Sequence, residues 1–239
     1  MGGLLELAEK PAGYYEQSRE ELVRLLPRPL GRVLDIGCGA GATGAVLRAA
    51  GAERLVGIEL DAEAAERARE TYDAVYAGRA EELLPTLAEE FDTVLCYDVL
   101  EHLPDPGGLL RTVHGIAAEA ARLHVSAPNA RHWGLIRDLA LRGTFGYAEA
   151  GHRDKTHLRW FTRRDLVELL EAAGWTVLAV QHGELRPVSR VGARLTRGLT
   201  VEFLVHQWAV LAQRESSRSG AGEAGASALC SPPSSLRLE

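Results

Sequence analysis

The chain has 239 residues, of which 46% are hydrophobic and 25% charged, a composition ordinary for a globular protein with one full core. Its formal net charge of -6 provides no basic surface for a phosphate backbone. The sequence therefore argues against a nucleic-acid partner and favours a small-molecule acceptor.

The three cysteines, Cys38, Cys96 and Cys230, are widely separated and form no C-x-x-C pair, which argues against a disulfide framework or a zinc ribbon. The N-terminus lacks a signal-peptide pattern, and no apolar run approaches the roughly 20 residues that span a bilayer. These features predict a cytoplasmic protein without a membrane span. The scarcity of lysine and asparagine suggests a GC-rich or thermophilic bacterium, and no pattern indicates an oligomeric state.

The first predicted element is a helix before Pro27, with apolar residues at 15, 22, 25 and 26. We expect residues 1–30 to lie across the sheet as a lid. Tyr14 or Tyr15 could direct a hydroxyl from this lid to a bound ligand.

An apolar strand at 33–36 leads into a glycine turn and then a helix from about residue 42; the turn contains Gly37, Gly39 and Gly41. Glycine lets the backbone take positive φ near a ligand, and a helix N-terminus presents free N–H groups to it. A second strand ends at Glu59, at the spacing where a carboxylate reaches the two ribose hydroxyls of an adenosine. The pattern predicts a βαβ unit that binds adenosine.

Two cofactor chemistries use such a unit. Residues 39–44 fit G-x-G-x-x-G, which alone is weak evidence for a nicotinamide or flavin enzyme. Asp35, just before the first glycine, would repel a pyrophosphate but attract a ligand with ammonium and sulfonium groups. The charge pattern therefore favours S-adenosylmethionine, which carries both cations and no phosphate.

Residues 35–41 resemble the first motif of the class I S-adenosylmethionine-dependent methyltransferases, and residues 57–61 resemble the second. The resemblance implies a Rossmann-like α/β fold, a doubly wound, seven-stranded, mostly parallel sheet with an antiparallel last strand. It also implies that S-adenosyl-L-methionine is the cofactor. The contacts implied in these two motifs are Asp35, Gly37, Gly39, Gly41, Glu59 and Leu60.

A short strand at 74–77 and the residues after it resemble the third motif of the family, which contacts adenine. Arg79 stands where an aspartate usually accepts a hydrogen bond from the adenine amino group. The backbone N–H of Ala80 can still donate to a ring nitrogen. Glu81 is the candidate to replace the missing carboxylate.

The apolar strand through 94–96 breaks into an acidic turn and resembles the fourth motif, beside the transferred methyl group. Ligands of open α/β sheets bind outside strand ends, so the Tyr97 backbone and Asp98 are expected to face the methionine part of the cofactor. His102 is a candidate catalytic base, with a hydrogen bond to nearby backbone as the alternative.

A helix over 109–119 and a strand over 121–126 should follow. His124 alternates with apolar neighbours in that strand, which predicts a buried, hydrogen-bonded histidine. Asn129, at the carboxyl end of the strand, is expected to face the cleft.

Residues 130–160 interrupt the alternation of strands and helices and are rich in aromatic, histidine and arginine side chains, which is typical of a substrate cap. The run at 156–162 is similar to methyltransferases encoded with glycan-building enzymes, so a sugar or glycolipid is one candidate acceptor. His157 is either a general base or a structural tie between cap and core. His152, Asp154 and His157 match no defined metal signature, and no metal is predicted.

Thr162 and Asp165 resemble a capping box for a helix that Gly174 ends. Strands expected at 175–180 and 201–211 have no long helix between them and can pair antiparallel. The methyltransferase domain is therefore expected over 31–214. A tail over 215–239, rich in serine, glycine, alanine and proline, is predicted to be disordered.

The resulting hypothesis is a methyltransferase that acts on an O or N atom of a small molecule. Methyl transfer needs a base only if the acceptor is protonated and weakly nucleophilic, as a hydroxyl is. Two alternatives stay open. A nicotinamide oxidoreductase would share the glycine turn, although the chain has no Tyr-x-x-x-Lys pair. A non-catalytic S-adenosylmethionine-binding regulator would share the whole first half.

Overall fold

The structure of the protein is a computed structural model that describes residues 13–182 and 200–215. The first twelve residues of the expected lid, the arginine-rich connection at 183–199, Cys230 and the tail beyond residue 215 lie outside the described residues. The predictions for those segments stay predictions.

Seven strands form one sheet in the order β3-β2-β1-β4-β5-β7-β6. Their bounds are β1 (Arg32–Ile36), β2 (Arg54–Glu59), β3 (Ala74–Ala77), β4 (Phe91–Tyr97), β5 (Ala117–Pro128), β6 (Trp175–His182) and β7 (Gln207–Arg214). Strands β1 to β5 pair in parallel, and β7 runs antiparallel between β5 and β6. The predicted seven-stranded, mostly parallel sheet with a reversed last strand is confirmed.

Helices cover the sheet and connect its strands. Their bounds are α1 (Glu20–Val23), α2 (Ala42–Ala49), α3 (Ala62–Ala68), α4 (Ala80–Leu83), α5 (Pro106–Ile116), α6 (Trp133–Arg137), α7 (Arg163–Ala172) and α8 (Val201–Leu204). Helix α6 continues into a π-helical turn, Asp138–Arg142. No helix in the described ranges is long and apolar enough to cross a membrane.

The sheet buries a hydrophobic layer on each face, as alternation along β1 requires. Leu34 and Ile36 belong to the layer that also contains residues of α5 and α7. Val33 belongs to the opposite layer, together with residues of α1, α2 and α3. Asp35 is a carboxylate inside that second layer, because its hydroxyl partner Tyr72 belongs to it.

The single helix expected before Pro27 is replaced by a 3-10 turn, Tyr14–Glu16, and the short α1. The reason is that this segment bonds to the glycine turn rather than to itself. The Tyr15 carbonyl accepts from the Ala40 N–H at 2.9 Å, and the Arg19 N–H donates to the Thr43 hydroxyl at 3.3 Å.

Two other boundaries differ from the predictions. The helix expected over 109–119 ends at Ile116, because Ala117 already pairs with Phe91 of β4. The strand expected over 201–211 begins only at Gln207, since the preceding residues form α8. The predicted capping box of Thr162 and Asp165 at the start of α7 is present.

Candidate cofactor and acceptor site

The carboxyl ends of β3, β2, β1 and β4 lie side by side, because these strands are parallel neighbours. The register aligns Ala77 with Glu59 and Ile58 with Ile36, which aligns with Cys96. The candidate cofactor contacts therefore form one row in the order Ala80 and Glu81, Glu59 and Leu60, Gly37, Gly39 and Gly41, and Tyr97 and Asp98. The row therefore has the order that the resemblance implies for contacts to a base, a sugar and an amino-acid tail.

The glycine turn is a left-handed backbone that only glycine adopts easily. Gly37, Gly39 and Gly41 have φ values of 78°, 55° and 92°. The Gly37 N–H donates to the Ile58 carbonyl at 2.8 Å, which ties the turn to β2. A Cβ atom at Gly39 would lie 2.8 Å from the Tyr15 carbonyl oxygen, so the close approach of the lid also requires glycine there.

Glu59 joins the end of β2 to the glycine turn. Its carboxylate accepts from the Gly39 N–H at 2.8 Å and from the Asp61 N–H at 2.9 Å. The side chain is 7% exposed, and burial raises its pKa while these hydrogen bonds oppose the rise. Leu60 follows with a half-exposed side chain. The arrangement holds the carboxylate rigidly and leaves lone pairs for further donors.

The adenine end of the row departs from the family pattern at Arg79. Ala80 is buried as the first residue of α4, where its N–H belongs to an open helix terminus. The Arg79 Nη2 atom lies 3.1 Å from Glu81 Oε1 and the Nε atom lies 3.8 Å from Glu82 Oε1. Arg79 therefore pairs with Glu81, the residue whose carboxylate was expected to replace the aspartate of the family pattern.

Asp35 lies beneath the glycine turn and is 2% exposed. The Tyr72 hydroxyl donates to its Oδ2 atom at 2.5 Å. Burial raises the pKa of Asp35 to about 7, with the Tyr72 hydrogen bond and the Arg19 charge opposing and the Glu59 charge reinforcing the shift. Asp35 is thus a buried carboxyl that is partly ionised at neutral pH.

Asp98 is the other end of the row and has a φ of 55°, which is strained for a residue with a side chain. Its Oδ2 atom lies 2.6 Å from Arg19 Nη2 of the lid. Gln207 Nε2 donates to Oδ1, and Ser126 Oγ lies 3.5 Å from the same atom. A strand end, the reversed strand β7 and the lid therefore meet at one carboxylate.

Arg19 lies at the candidate site through its ion pair with Asp98, although nothing in its local sequence distinguishes it from neighbouring arginines. Tyr15, in contrast, lies at the Glu59 end of the row: burial and the charges of Asp61 and Glu59 raise its pKa to about 12. That Tyr15 directs its hydroxyl to a bound ligand stays a prediction. The Tyr14 side chain lies outside the described part of the chain.

Tyr97 turns its side chain away from the cleft. Its hydroxyl lies 2.8 Å from His124 Nδ1, and Gln181 Oε1 lies 3.0 Å from His124 Nε2. His124 is fully buried, and burial lowers its pKa to about 4. The prediction of a satisfied buried histidine is confirmed, and Tyr97 presents only its backbone to the row.

His102 and His157 come together beside the end of β4. Their ring centroids are 4.8 Å apart in an edge-to-face arrangement. His157 Nε2 lies 4.0 Å from Glu101 Oε1, and His102 Nδ1 lies 3.1 Å from the hydroxyl of Thr156. Thr156 in turn donates to Asp154 at 2.6 Å. The two histidines proposed from distant parts of the sequence thus belong to one cluster.

Glu101 is the member of this cluster whose importance the sequence did not reveal. It is 1% exposed, and neither carboxyl oxygen has a hydrogen-bond partner. Burial, reinforced by the Asp98 charge, raises its pKa well above the ordinary value. Its carbonyl accepts from the Leu158 and Arg159 N–H groups at 2.8 and 3.0 Å, which ties the cap to β4.

The structure separates the histidines and the aspartate that were weighed as metal ligands. Asp154 accepts from the N–H and the hydroxyl of Thr156, and His152 Nε2 lies 2.5 Å from the His206 carbonyl. Across residues 13–182 and 200–215, the side chains that lie close enough together to share a metal ion are Glu101, His102 and His157. One ligand atom of each lies within 4.8 Å of the other two.

Asn129 does not open into the cleft as expected. Its side-chain amide donates to the Glu202 and Val205 carbonyls at 2.7 and 2.8 Å, and its side-chain oxygen accepts from the Arg131 N–H at 3.0 Å. The residue is fully buried. Its role is to fasten the start of the cap to the loop before β7.

The family model for a methyltransferase domain matches residues 12–180. A ubiquinone biosynthesis O-methyltransferase from Xanthomonas axonopodis pv. citri is 31% identical over 208 residues, covering 83% of this chain and 84% of the relative. Another from Aeromonas salmonicida is 28% identical over 185 residues, covering 72% and 76%. In fold, a SAM-dependent methyltransferase from Archaeoglobus fulgidus has a TM-score of 0.63 at 20% identity, covering 84% of this chain and 97% of its own.

Proposed function

The chain belongs to the class I S-adenosylmethionine-dependent methyltransferases, and on this premise we propose that it methylates a hydroxyl oxygen of a small molecule. The chain is an enzyme with S-adenosylmethionine as cofactor, so the nicotinamide and regulator alternatives are set aside. The choice of oxygen rests on the cluster of Glu101, His102 and His157. A neutral amine attacks through its lone pair without a base at the moment of transfer, whereas a hydroxyl must lose its proton to become a good nucleophile.

The cofactor fits the row of strand ends by charge and by shape. The glycine turn leaves room at the backbone, and Asp35, Glu59 and Asp98 complement a ligand with two cationic centres and no phosphate. Adenine would lie at Ala80 and Glu81, the ribose hydroxyls at Glu59 beside Leu60, and the methionine tail at Asp98 and the Tyr97 backbone. When bound, the sulfonium supplies an activated methyl group to the acceptor.

Arg19 complements the remaining group of the cofactor, its carboxylate. The guanidinium lies beside Asp98 and close enough to Asp35 to lower the pKa of that carboxyl. In the complex, Asp98 would bind the ammonium and Arg19 the carboxylate of the same amino-acid group. The lid would thereby lie over the cofactor, held by a residue that also pairs with Asp98.

His157 is the proposed base for the acceptor hydroxyl. It projects from the cap toward the end of β4, where the methyl group would lie, and is 7% exposed. Burial raises the pKa of Glu101, but a protonated imidazole 4.0 Å away would lower it again, so Glu101 would then stabilise the protonated His157 as a carboxylate. His102, fixed by Thr156, would hold the His157 ring edge-on or serve as the base itself.

The relatives named for ubiquinone biosynthesis favour a phenolic or quinol hydroxyl as the acceptor group. The sugar or glycolipid acceptor suggested by residues 156–162 is the second candidate. The described cap supplies aromatic rings, among them Phe145 and Trp160 with centroids 5.5 Å apart, which suit a flat ring better than a sugar alone.

The test is transfer of a labelled methyl group from S-adenosylmethionine to catechols, hydroquinones, activated sugars and primary amines. We expect transfer to a phenolic hydroxyl, and loss of that transfer in His157→Gln while cofactor affinity is retained. His114→Gln is the matched control, because His114 lies on α5 against Trp175, away from the cluster. Transfer to amines alone, unaffected by His157→Gln, would refute the proposal.

A further inference from the structure

The cap carries most of the large hydrophobic side chains that are exposed among the described residues. Nine large hydrophobic side chains are exposed within the described ranges, and six of them lie between residues 133 and 160. We call these six the cap surface: Trp133, Ile136, Leu139, Leu141, Tyr147 and Trp160. Scattered exposed hydrophobics are normal, but a concentration of this kind in one segment marks a surface that binds something.

Helix α6 and its π-helical extension expose several large apolar side chains and bury a charged one. The inner face carries Leu135 and the charged Asp138, which are 5% and 3% exposed. The outer face carries the first four residues of the cap surface, of which Leu141 is 80% exposed. A water-facing helix normally places charges outside and apolar residues inside. The segment therefore presents an apolar face outward at the expense of burying a carboxylate.

The buried carboxylate collects arginines beneath that apolar face. Asp138 pairs with Arg137 at 2.8 Å, with Arg142 at 3.4 Å and with Arg153. Arg137 also lies over the Trp133 ring, 4.8 Å from its centroid. Three guanidinium groups on one carboxylate leave a surplus of positive charge directly around the exposed leucines and tryptophan.

The surplus extends over the whole cap. Residues 130–160 contain six arginines and lysines against three carboxylates, whereas the complete chain has 27 basic and 33 acidic residues. An apolar face surrounded by basic side chains is the pattern of a helix that lies in the interface of a membrane with anionic lipids. The aromatic residues Tyr147 and Trp160 suit the same interfacial zone, because an apolar ring and a polar atom are combined in each.

We infer that the cap surface binds the surface of an anionic phospholipid bilayer, with the helix axis in the membrane plane. A second copy of the chain fits less well. A two-fold interface would place the arginine surplus of one cap against that of the other, and like charges repel at close distance. This inference goes beyond the proposed function and does not depend on which acceptor is methylated.

The test is cosedimentation of the full chain with vesicles of phosphatidylcholine alone and of phosphatidylcholine with phosphatidylglycerol. We expect binding to the anionic vesicles that is weakened by 0.5 M salt, because the Debye length falls from about 10 Å at 0.1 M salt to a few Å and the charges are then screened. Leu141→Glu should lower vesicle binding at least tenfold. Arg142→Glu should lower it roughly twentyfold, because each unit of charge near the membrane contributes about a factor of five and this substitution changes the charge by two units.

Leu178→Glu is the matched control, because Leu178 is a half-exposed leucine on β6, outside the cap. It should leave vesicle binding unchanged. Equal binding to neutral and anionic vesicles, no binding to either, or an equal loss in the control would overturn the inference. So would a dimer in light scattering that Leu141→Glu dissociates, since the cap surface would then belong to a second copy. Thermal unfolding checks that each variant is folded.

Discussion

The Arg19 guanidinium lies 2.6 Å from the Asp98 carboxylate and joins the lid to the end of β4. This contact joins residues 79 positions apart in the sequence and closes the row of strand ends beside β4. Cofactor affinity should therefore depend on a residue that no motif contains.

Arg19→Gln is expected to weaken S-adenosylmethionine binding about tenfold or more. Without the guanidinium, the cofactor carboxylate would face Asp98 and Asp35 unbalanced, and a charge-assisted hydrogen bond is worth roughly 1.5 to 3 kcal/mol. Isothermal titration calorimetry measures the change. Arg24→Gln is the control, because Arg24 pairs with Glu20 on the exposed side of α1. Tighter binding in Arg19→Gln would mean that Arg19 only competes with the cofactor for Asp98.

Glu59→Gln and Glu59→Ala should separate ribose binding from support of the glycine turn. Glutamine keeps one oxygen to accept from Gly39 or Asp61 but lacks the charge, so we expect weaker cofactor binding with a small change in stability. Alanine leaves both N–H groups without their acceptor, so it should also lower the melting temperature. Calorimetry and thermal unfolding on both variants measure the two effects. An unchanged dissociation constant for both would remove Glu59 from the site.

Cofactor binding should strengthen as pH rises from 6 to 8. Asp35 has a pKa of about 7, so it is largely neutral at pH 6 and largely ionised at pH 8. A cationic ligand favours the ionised form, and binding near pH 7 should release a proton. Calorimetry in buffers of different ionisation enthalpy counts that proton. Asp35→Asn should bind more weakly at pH 8 and show no such release; an unaltered proton count would assign the titration to another group.

Asp35 should also make folding stability depend on pH. Its pKa in the folded state lies above the ordinary aspartate value of 3.8, so the folded state binds more protons between about pH 4 and 7, and stability falls as pH rises through that window. Asp35→Asn is therefore expected to raise the melting temperature at pH 8 more than at pH 4. Tyr72→Phe removes the hydrogen bond that lowers the Asp35 pKa. It should therefore extend the pH range over which stability falls to higher pH. An equal change in the melting temperature of Asp35→Asn at pH 4 and at pH 8 would contradict this account.

Glu101→Gln should slow methyl transfer to a hydroxyl without weakening cofactor binding. The amide cannot stabilise a protonated His157 as a carboxylate does, so we expect kcat to fall about tenfold to a hundredfold with little change in KM for the acceptor. Glu82→Gln, a change at an exposed carboxyl of α4, is the control. Dialysis against a chelator completes the experiment: activity lost there and restored by a divalent cation would assign the cluster to metal binding instead.

The local sequence determined the elements that follow from short-range chemistry. Alternating glycines at 37, 39 and 41 specify a left-handed turn whatever surrounds them, because side chains are disfavoured at those φ values. The apolar strands, the carboxylate ending β2 and the capping box of α7 were predictable for the same reason. The reversed strand β7 followed from the resemblance to the family.

Tertiary structure decided which side chains meet. Neither carboxyl oxygen of Glu101 has a hydrogen-bond partner. The fold buries this side chain and brings His157, 56 residues away in the sequence, to 4.0 Å from it, which gives Glu101 its role in the proposed chemistry. Asp35 and Tyr72 share a proton-sensitive contact that only the tertiary fold creates, because the two residues lie 37 positions apart in the sequence. Exposure is equally absent from the sequence pattern: nothing in it marks Leu139 and Leu141 of the cap as exposed, and only the fold turns them outward. Contacts between distant segments depend on the free energy of the whole packed molecule, which no short stretch of sequence contains.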